Sequence, residues 1–539
     1  MNDSGTAYLD SLIKEQSPPA VAAVDSEGRP RKQSDVLLDI GLIHDLFHDG
    51  ARNAYAGVGK AVYAIESAGY RELLAESFLA TTGKGCSRNS IVDAISTLAS
   101  LAKFRGNCRH VRLRVGGDSN GVVIDTGNAN HDLIDITSSG WKLIEGERPM
   151  FRRAGAMQPL PEPAAPDFSR LWNYVTVAEE HRPLVAAWML AALRPVGPYP
   201  LLIFSGEQGT GKSTQGRVVR RLTDPSASPL RAPPKEVRDL LVGALNGWVL
   251  AVDNLSGINP QLSDALCRLS TGGAISERAL YSNTDEILVE VQRPVILNGI
   301  EDIATRPDLA ERSLHIELEP ITRRRTESEF WRAFEQDAPR IFGALLEGLV
   351  CSIRDHATIQ LGRLPRMADF ANWAAAGMEP LGFTADQFIS AYRANIQDGQ
   401  TASVESSPVG EAVTRLMTAH QTWTGTASEL MAELARVADD AMTRNSAWPK
   451  SPRWLAGTIT RLAPALRAKG ISVDRQRSGD SRVITLCQAG KIASLASQRH
   501  EPSQETPKND ANDANDDKNH MLHSARPSPK PALEDAEEF

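Results

Sequence analysis

Gly206, Gly211, Lys212 and Ser213 stand in the spacing G-x-x-x-x-G-K-[ST], inside the run GEQGTGKST at 206–214. Each residue type has a chemical use. Glycines let the backbone curl so that N–H groups surround a polyphosphate, and a helix N-terminus just beyond adds positive partial charge. An amine at Lys212 reaches the β- and γ-phosphates, and a hydroxyl at Ser213 ligates Mg²⁺. The spacing therefore predicts a nucleoside triphosphate site for ATP with Mg²⁺, lined by Gly206, Glu207, Gln208, Gly209, Thr210, Gly211, Lys212, Ser213 and Thr214. About forty residues on, WVLAVDN (248–254) is an apolar strand ending in Asp253, a second metal ligand expected on the strand adjacent to the loop's own. RPVILNGI (293–300) ends a further apolar strand at Asn298, an amide suited to positioning an attacking water. Arg306 and Arg312 follow, cations that could reach a neighbouring subunit's γ-phosphate.

These groups need rigid elements to hold them. Leu201–Phe204 is a short apolar run that predicts a buried strand before the loop, and Gln215–Leu222 predicts a basic helix after it. Thr271–Val291 reads as a glycine turn, a basic strand carrying Arg278, a polar turn at 283–285 and a return strand. Leu314–Leu318 supplies one more strand. Pro159–Pro166 is proline-rich and predicts a hinge, with a helical stretch over Asp167–Leu193. Ile341, Leu345, Leu346 and Leu349, and then Phe388, Ile389, Tyr392 and Ile396, are helical stripes in 323–395.

The N-terminal third carries no chemical signature. Residues 1–35 are polar and aperiodic, a flexible lead-in without the pattern of a signal peptide. Over 36–160 an α+β accessory domain is expected. Its strands are Asp45–His48, Ala54–Val58, Val62–Ile65, His110–Val115, Gly121–Asp125, Leu133–Thr137 and Trp141–Glu145, with helices at Arg71–Thr81 and Ser90–Phe104. His44 and His48 flank a turn and read as hairpin histidines. Five scattered cysteines without a C-x-x-C fit reduced thiols, and no apolar run approaches the length of a membrane helix, so a cytoplasmic protein without membrane contact is expected.

The net charge of −8 is unevenly spread: residues 499–539 hold ten acidic and five basic residues, whereas 445–486 hold eight Lys/Arg against two Asp. Around that basic stretch a helix, a short strand, two further helices and a hairpin follow one another over 408–488, after a polar linker at 396–407. This is the element order of a winged helix. Arg453, Arg461 and Arg467 fall on its third helix and Arg475, Arg477 and Arg482 on its hairpin, where they would contact DNA phosphates. Pro464 predicts a kink or early stop in the third helix. Beyond 488 the tail reads as disordered and acidic.

GEQGTGKST, WVLAVDN, LSTGGAISERALY (269–281), RPVILNGI and RPDLAERSLHIEL (306–318) occur in the order and spacing of superfamily 3 helicases, and most resemble the primase-helicase ATPases of phages, plasmids and integrated mobile elements. The resemblance is specific over 198–322 and looser over 36–197 and 323–395. It implies an α/β fold with an AAA+-like P-loop NTPase core over 161–395, an N-terminal α+β domain and a C-terminal winged helix. It further implies a homo-oligomeric ring, usually a hexamer, with Arg312 or Arg306 as a finger acting on the neighbour. Asn298 would be the first sensor, and the 271–291 hairpin, with Arg278, would face single-stranded DNA in a channel. The implied activity is a Mg-ATP-driven DNA helicase or translocase serving replication of a mobile element; the alternative is an initiator or loader switch that never unwinds DNA. Two departures stand out. Position 254, acidic in many relatives, is Asn, and nothing before residue 36 has room for a primase domain, so priming is not expected.

Overall fold

The computed structural model of this chain describes residues 26, 29–118, 120–146, 151–278, 286–299, 303, 306–321, 324–478 and 481–488. The lead-in before residue 26 and the tail after 488 lie outside them. Among the described residues the fold is mixed α/β, with five sheets of which one is wholly parallel. No helix among them is long and apolar enough to cross a membrane.

The first sheet is built from β1 (Asp45–His48), β2 (Ala54–Val58), β3 (Ala61–Ala64) and β4 (Asn107–Cys108), in the order β3-β2-β1-β4. Three helices cover it: α1 (Gln33–Leu42), α2 (Ala68–Thr82) and α3 (Arg88–Arg105). Ile91, Ala94, Ile95 and Leu98 form the buried stripe of α3 that their spacing predicts. Helix α1 is new relative to the sequence reading. Its Lys32 cap contributes no side-chain bond, so nothing local marks its start, and burial of Val36, Leu37 and Ile40 is what stabilises it.

The second sheet is an antiparallel meander of β5 (Val115–Gly117), β6 (Val122–Asp125), β7 (Asp132–Thr137) and β8 (Gly140–Glu145). Here the expectation of one accessory unit over 36–160 fails. The inner face of this sheet (Val115, Val122, Ile124, Ile134, Ile136) belongs to the same hydrophobic core as the central helices. The strand expected over His110–Val115 instead begins at Val115, and Arg114 just before it is fully buried. Its guanidinium pairs with Asp224 at 3.0 Å and donates to the carbonyls of Asp125, Gln158 and Pro225.

Pro159–Pro166 is not a free hinge. The Ala164 N–H donates to the Pro339 carbonyl at 3.0 Å, and the approach is so close that a Cβ on Gly343 would lie 2.1 Å from the Ala164 oxygen. Residues 167–193 are only partly helical, since Phe168–Asn173 and Glu179–His181 are 3₁₀ turns and Val177 bridges to Leu318. The α-helix α4 (Arg182–Ala192) follows, nearly all of it buried.

The parallel sheet comes next. In chain order its region contains β9 (Leu201–Ser205), α5 (Lys212–Thr223), α6 (Val237–Leu245), β10 (Leu250–Leu255) and α7 (Pro260–Thr271). A two-stranded ribbon, β11 (Ala274–Arg278) and β12 (Glu286–Glu290), leads to β13 (Val295–Gly299), α8 (Pro307–Ala310) and β14 (Ser313–Glu317). The strand order is β10-β13-β9-β14, all parallel. Both faces are covered, which is why these strands read as continuous apolar runs rather than alternations.

Helices α9 (Glu327–Asp355), α10 (Ala368–Ala376) and α11 (Ala385–Glu405) complete the core. A capping box at Thr326 and Glu329 starts α9, and one at Thr384 and Gln387 starts α11. The linker expected over 396–407 is instead the last turns of α11. Small and polar residues at Asn395, Gly399 and Ser403, four apart, form a buried stripe; a Cβ on Gly399 would sit 3.0 Å from the His315 ring. Composition suggested a linker, but close packing uses the same residue types.

The C-terminal elements are α12 (Pro408–Ala419), β15 (Thr422–Thr426), α13 (Ala427–Val437), α14 (Asp440–Arg444), α15 (Pro452–Ala468), β16 (Ile471–Ser478) and β17 (Ser481–Gln488), with sheet order β15-β17-β16. Pro464 does not stop α15, which continues to Ala468 with Ala465 and Leu466 in the local core. Helix α15 also packs on α11 and α8.

Candidate functional site

The carboxyl end of β9 feeds a loop whose glycines adopt φ values that other residues avoid: 142° at Gly206, 89° at Gly209 and 80° at Gly211. Gly211 is the N-cap of α5, and a Cβ there would come 3.1 Å from the Ile321 side chain. The loop is tied to itself by Thr210, whose hydroxyl donates to the Glu207 carbonyl at 2.9 Å. Lys212 folds over it, its Nζ donating to the carbonyls of Gly206 at 2.7 Å and Glu207 at 2.8 Å. Glu207, Gln208 and Gly209 are exposed at the loop's tip, and Thr214 lies in the first turn of α5.

Ser213, at the exposed start of α5, places its Oγ 2.9 Å from both carboxylate oxygens of Asp253. Asn298 donates its Nδ2 to Asp253 Oδ1 at 2.7 Å. It is almost wholly buried, and its Oδ1 has no partner among the described residues. One expectation needs correcting: the Asp253 strand is not adjacent to β9. β13 lies between β10 and β9, with Asn298 in register with Phe204. That insertion brings the amide to the carboxylate, so hydroxyl, carboxylate and amide come together from three stretches of chain. Asn254, next to Asp253, is exposed at a bulge in β10 with φ 57°, a left-handed conformation that Asn tolerates better than most residues.

One carboxylate and one hydroxyl suit a cation that keeps waters and takes its other ligands from phosphates, as Mg²⁺ does. Among the described residues no group of three or more His, Cys, Asp or Glu could hold a metal without such help. His44 bonds the Tyr70 hydroxyl at 2.8 Å, and burial lowers its pKa to about 4; His48 bonds the Asp49 carbonyl at 2.8 Å.

Sequence reasoning missed a cavity of about 600 Å³ beside α5, lined by Thr214 and Gln215 together with Trp172, Tyr174, Phe330 and Trp331. Arg217 lies over the Trp331 ring at 4.6 Å and pairs with Glu327 at 2.8 Å. The aromatic density of 168–174 and 330–334 was the available signal, although the two segments are far apart in sequence.

Of the two finger candidates, Arg312 lies at the other end of the sheet, whereas Arg306 lies against the first turns of α7. β14 runs parallel to β9 with Ser313 opposite Leu201, and the Leu201 N–H donates to the Arg312 carbonyl at 2.8 Å. The length of β9, five residues at about 3.3 Å each, therefore separates Arg312 from the loop. Arg312 Nη1 donates to the Asp308 carbonyl at 2.6 Å, while Arg306 bonds the Pro260 carbonyl and Asp264, both at 2.8 Å. Neither joins the Ser213 cluster within its own chain.

The DNA-contact candidates divide. Arg278 ends β11, but its side chain and the 279–285 turn lie outside the described residues. Arg453 and Arg461 are exposed on α15, and Arg461 bonds Thr458 at 3.1 Å. Arg475 bonds the Thr460 hydroxyl. Arg477 stands directly across the hairpin from Arg482, both exposed. Arg467 is exposed and lines the wall shared with α11.

A comparison with curated proteins returned no significant match. Among solved structures, the apo A form of the NrS-1 C-terminal region is similar at 12% identity, covering 85% of this chain and 99% of that one, with a TM-score of 0.37. Another apo structure of that region aligns at 13% identity over 85% and 98% of the two chains, with a TM-score of 0.36. Two family models match consecutive stretches: residues 167–401 match the actinomycete integrative conjugative element replication protein RepA, and residues 409–503 match the RepA C-terminal domain of the same elements. Together these matches span well over half of the chain and identify it, at that coarse level, as a replication protein of a mobile element.

Proposed function

We propose that this chain is a Mg-ATP-dependent DNA helicase or translocase, built on an AAA+-like P-loop core with a C-terminal winged helix and working as a homo-oligomeric ring, as superfamily 3 enzymes do. The observation that carries the reading is the cluster of Ser213, Asp253 and Asn298, 2.7–2.9 Å apart beside a lysine-capped glycine loop. Bound Mg-ATP would supply the γ-phosphoryl group whose transfer to water, with ADP as the leaving group, releases the energy. The chain's own groups have separate tasks. Lys212 exchanges two loop carbonyls for phosphate oxygens, Ser213 and Asp253 hold the metal, and the free Asn298 Oδ1 is left to orient a water. The cavity beside α5 has the size to accept a base and aromatic side chains among its lining for the base to stack on.

Supporting the DNA side, Arg477 and Arg482 face each other across the hairpin, a like-charge pair that costs stability unless an anion lies between. Substituting Lys212→Ala tests the whole reading. ATP hydrolysis and strand displacement on a forked duplex should both vanish while the melting temperature holds; normal turnover would remove the assignment.

One observation favours a second reading, that of an initiator or loader which grips DNA without unwinding it. Asn254 supplies no second carboxylate beside Asp253, so a general base is missing at that position. ATP-dependent binding of the fork without strand separation would select that reading.

A further inference from the structure

A second cavity, of about 610 Å³, lies in the seam between α11 and α15, beside Glu311. Four exposed arginines line it from three stretches: Arg363 and Arg366 from the loop between α9 and α10, Arg393 from α11, and Arg467 from α15. Glu311 is the single acid among its lining residues, and Arg366 and Gln400 both bond it. Arg393 ties the arginine-bearing loop to α11 by donating to the carbonyls of Leu361 at 3.1 Å and Arg363 at 2.7 Å. The guanidinium groups of Arg363 and Arg467 make no hydrogen bond or ion pair with the described residues. Converging like charges repel, and this loop is fixed in a position that keeps them together. Such an arrangement suits a polyanion.

The cations also continue in a line. Thr460, Pro464 and Arg467 fall on one face of α15 by their spacing, and Thr460 holds Arg475 of the hairpin. A row running from Arg363 and Arg366 through Arg393 and Arg467 to Arg475 matches a chain of repeated phosphates better than one small anion. We infer that this seam is a phosphate-backbone groove for nucleic acid, through which a strand passes between the parallel-sheet core and the C-terminal elements. The inference rests on the DNA reading above and adds residues outside the α15–hairpin surface. It also moves Arg467 from that surface to the seam.

The test uses the full chain without nucleotide, titrating a short fluorescein-labelled duplex and the matching single strand at several salt concentrations. Arg363→Gln combined with Arg467→Gln should flatten the slope of log affinity against log salt by about two, in proportion to the phosphate contacts removed. The probe that shows the change identifies the form of nucleic acid in the groove. Arg363→Lys with Arg467→Lys keeps both charges and should keep the slope, which separates charge loss from misfolding. The pair Arg477→Gln and Arg482→Gln serves as the comparison. Loss confined to the hairpin pair, with the glutamine seam variant unchanged on both probes, overturns the groove alone. A wild-type chain that binds neither probe, either without nucleotide or with Mg-ATP added, overturns the DNA reading and the groove with it.

Discussion

The two ends of the parallel sheet are built on different terms. At the carboxyl end, Ser213, Asp253 and Asn298 come from β-strand tips and a helix start far apart in sequence, and they satisfy one another within hydrogen-bond reach. At the amino end, Arg312 is held by the Asp308 carbonyl of α8, a strand's length from that cluster, while Arg306 is held by Pro260 and Asp264 in the first turns of α7. The first end is complete in one chain. The second makes sense as part of a site only if another copy presents its loop to it. A phosphoryl-transfer site split in the proposed way would link chemistry to assembly, because neither half would act alone.

The sharpest way to break this comparison is Arg312→Ala. Hydrolysis by the assembled protein should fall by about a thousandfold or more while ATP binding persists. Mixing Arg312→Ala subunits with Lys212→Ala subunits should restore part of the activity, since some interfaces then pair an intact loop with an intact arginine. No recovery in the mixture would place the arginine's action within one chain or remove it. Next in size is Asp253→Asn, which should lower hydrolysis by roughly a hundredfold or more through the metal, read as turnover at saturating Mg²⁺ and ATP.

A smaller effect concerns how the amino end is braced. Arg114 is fully buried and pairs with Asp224 at the end of α5, and Asp224 also accepts the backbone N–H groups of Trp248 and Val249. Arg114→Met leaves that carboxylate with only the 3.8 Å pairing to Arg220 and should cost about 3 kcal/mol in denaturant unfolding. The least effect is expected from pH. Burial lowers the pKa of both His44 and His131 from 6.5 to about 4. The unfolded chain therefore binds protons that the folded chain refuses, and stability present above pH 6.5 should drain away as the pH falls toward 4. Urea midpoints across that range should show less decline in His44→Gln than in the wild type.

The seam arginines sharpen the contrast from another side. The hairpin arginines follow from local order, since a helix, a turn and two strands suffice to put them on one surface. Arg363, Arg366, Arg393 and Arg467 share nothing local, and only the docking of α15 on α11 gathers them. The error over 396–407 has the same origin. Gly399 and Ser403 look like linker residues in composition, yet their small size is what lets α11 lie against β14. The second sheet, too, precedes the proline-rich segment and so reads as part of an N-terminal unit, whereas its apolar face completes the central core.

What the sequence determined by itself was local chemistry: the glycine loop with Lys212 and Ser213, the apolar strands ending in Asp253 and Asn298, and the basic character of the C-terminal elements. These are set by residue type and short-range spacing, because backbone conformation, helix starts and strand burial depend on nearest neighbours. The tertiary structure alone decided that β13 lies between β10 and β9, that Arg312 stands at the opposite end from its chain's own loop, and that four arginines meet in a seam. Those outcomes depend on which apolar faces bury one another across hundreds of residues, and no local spacing carries that information.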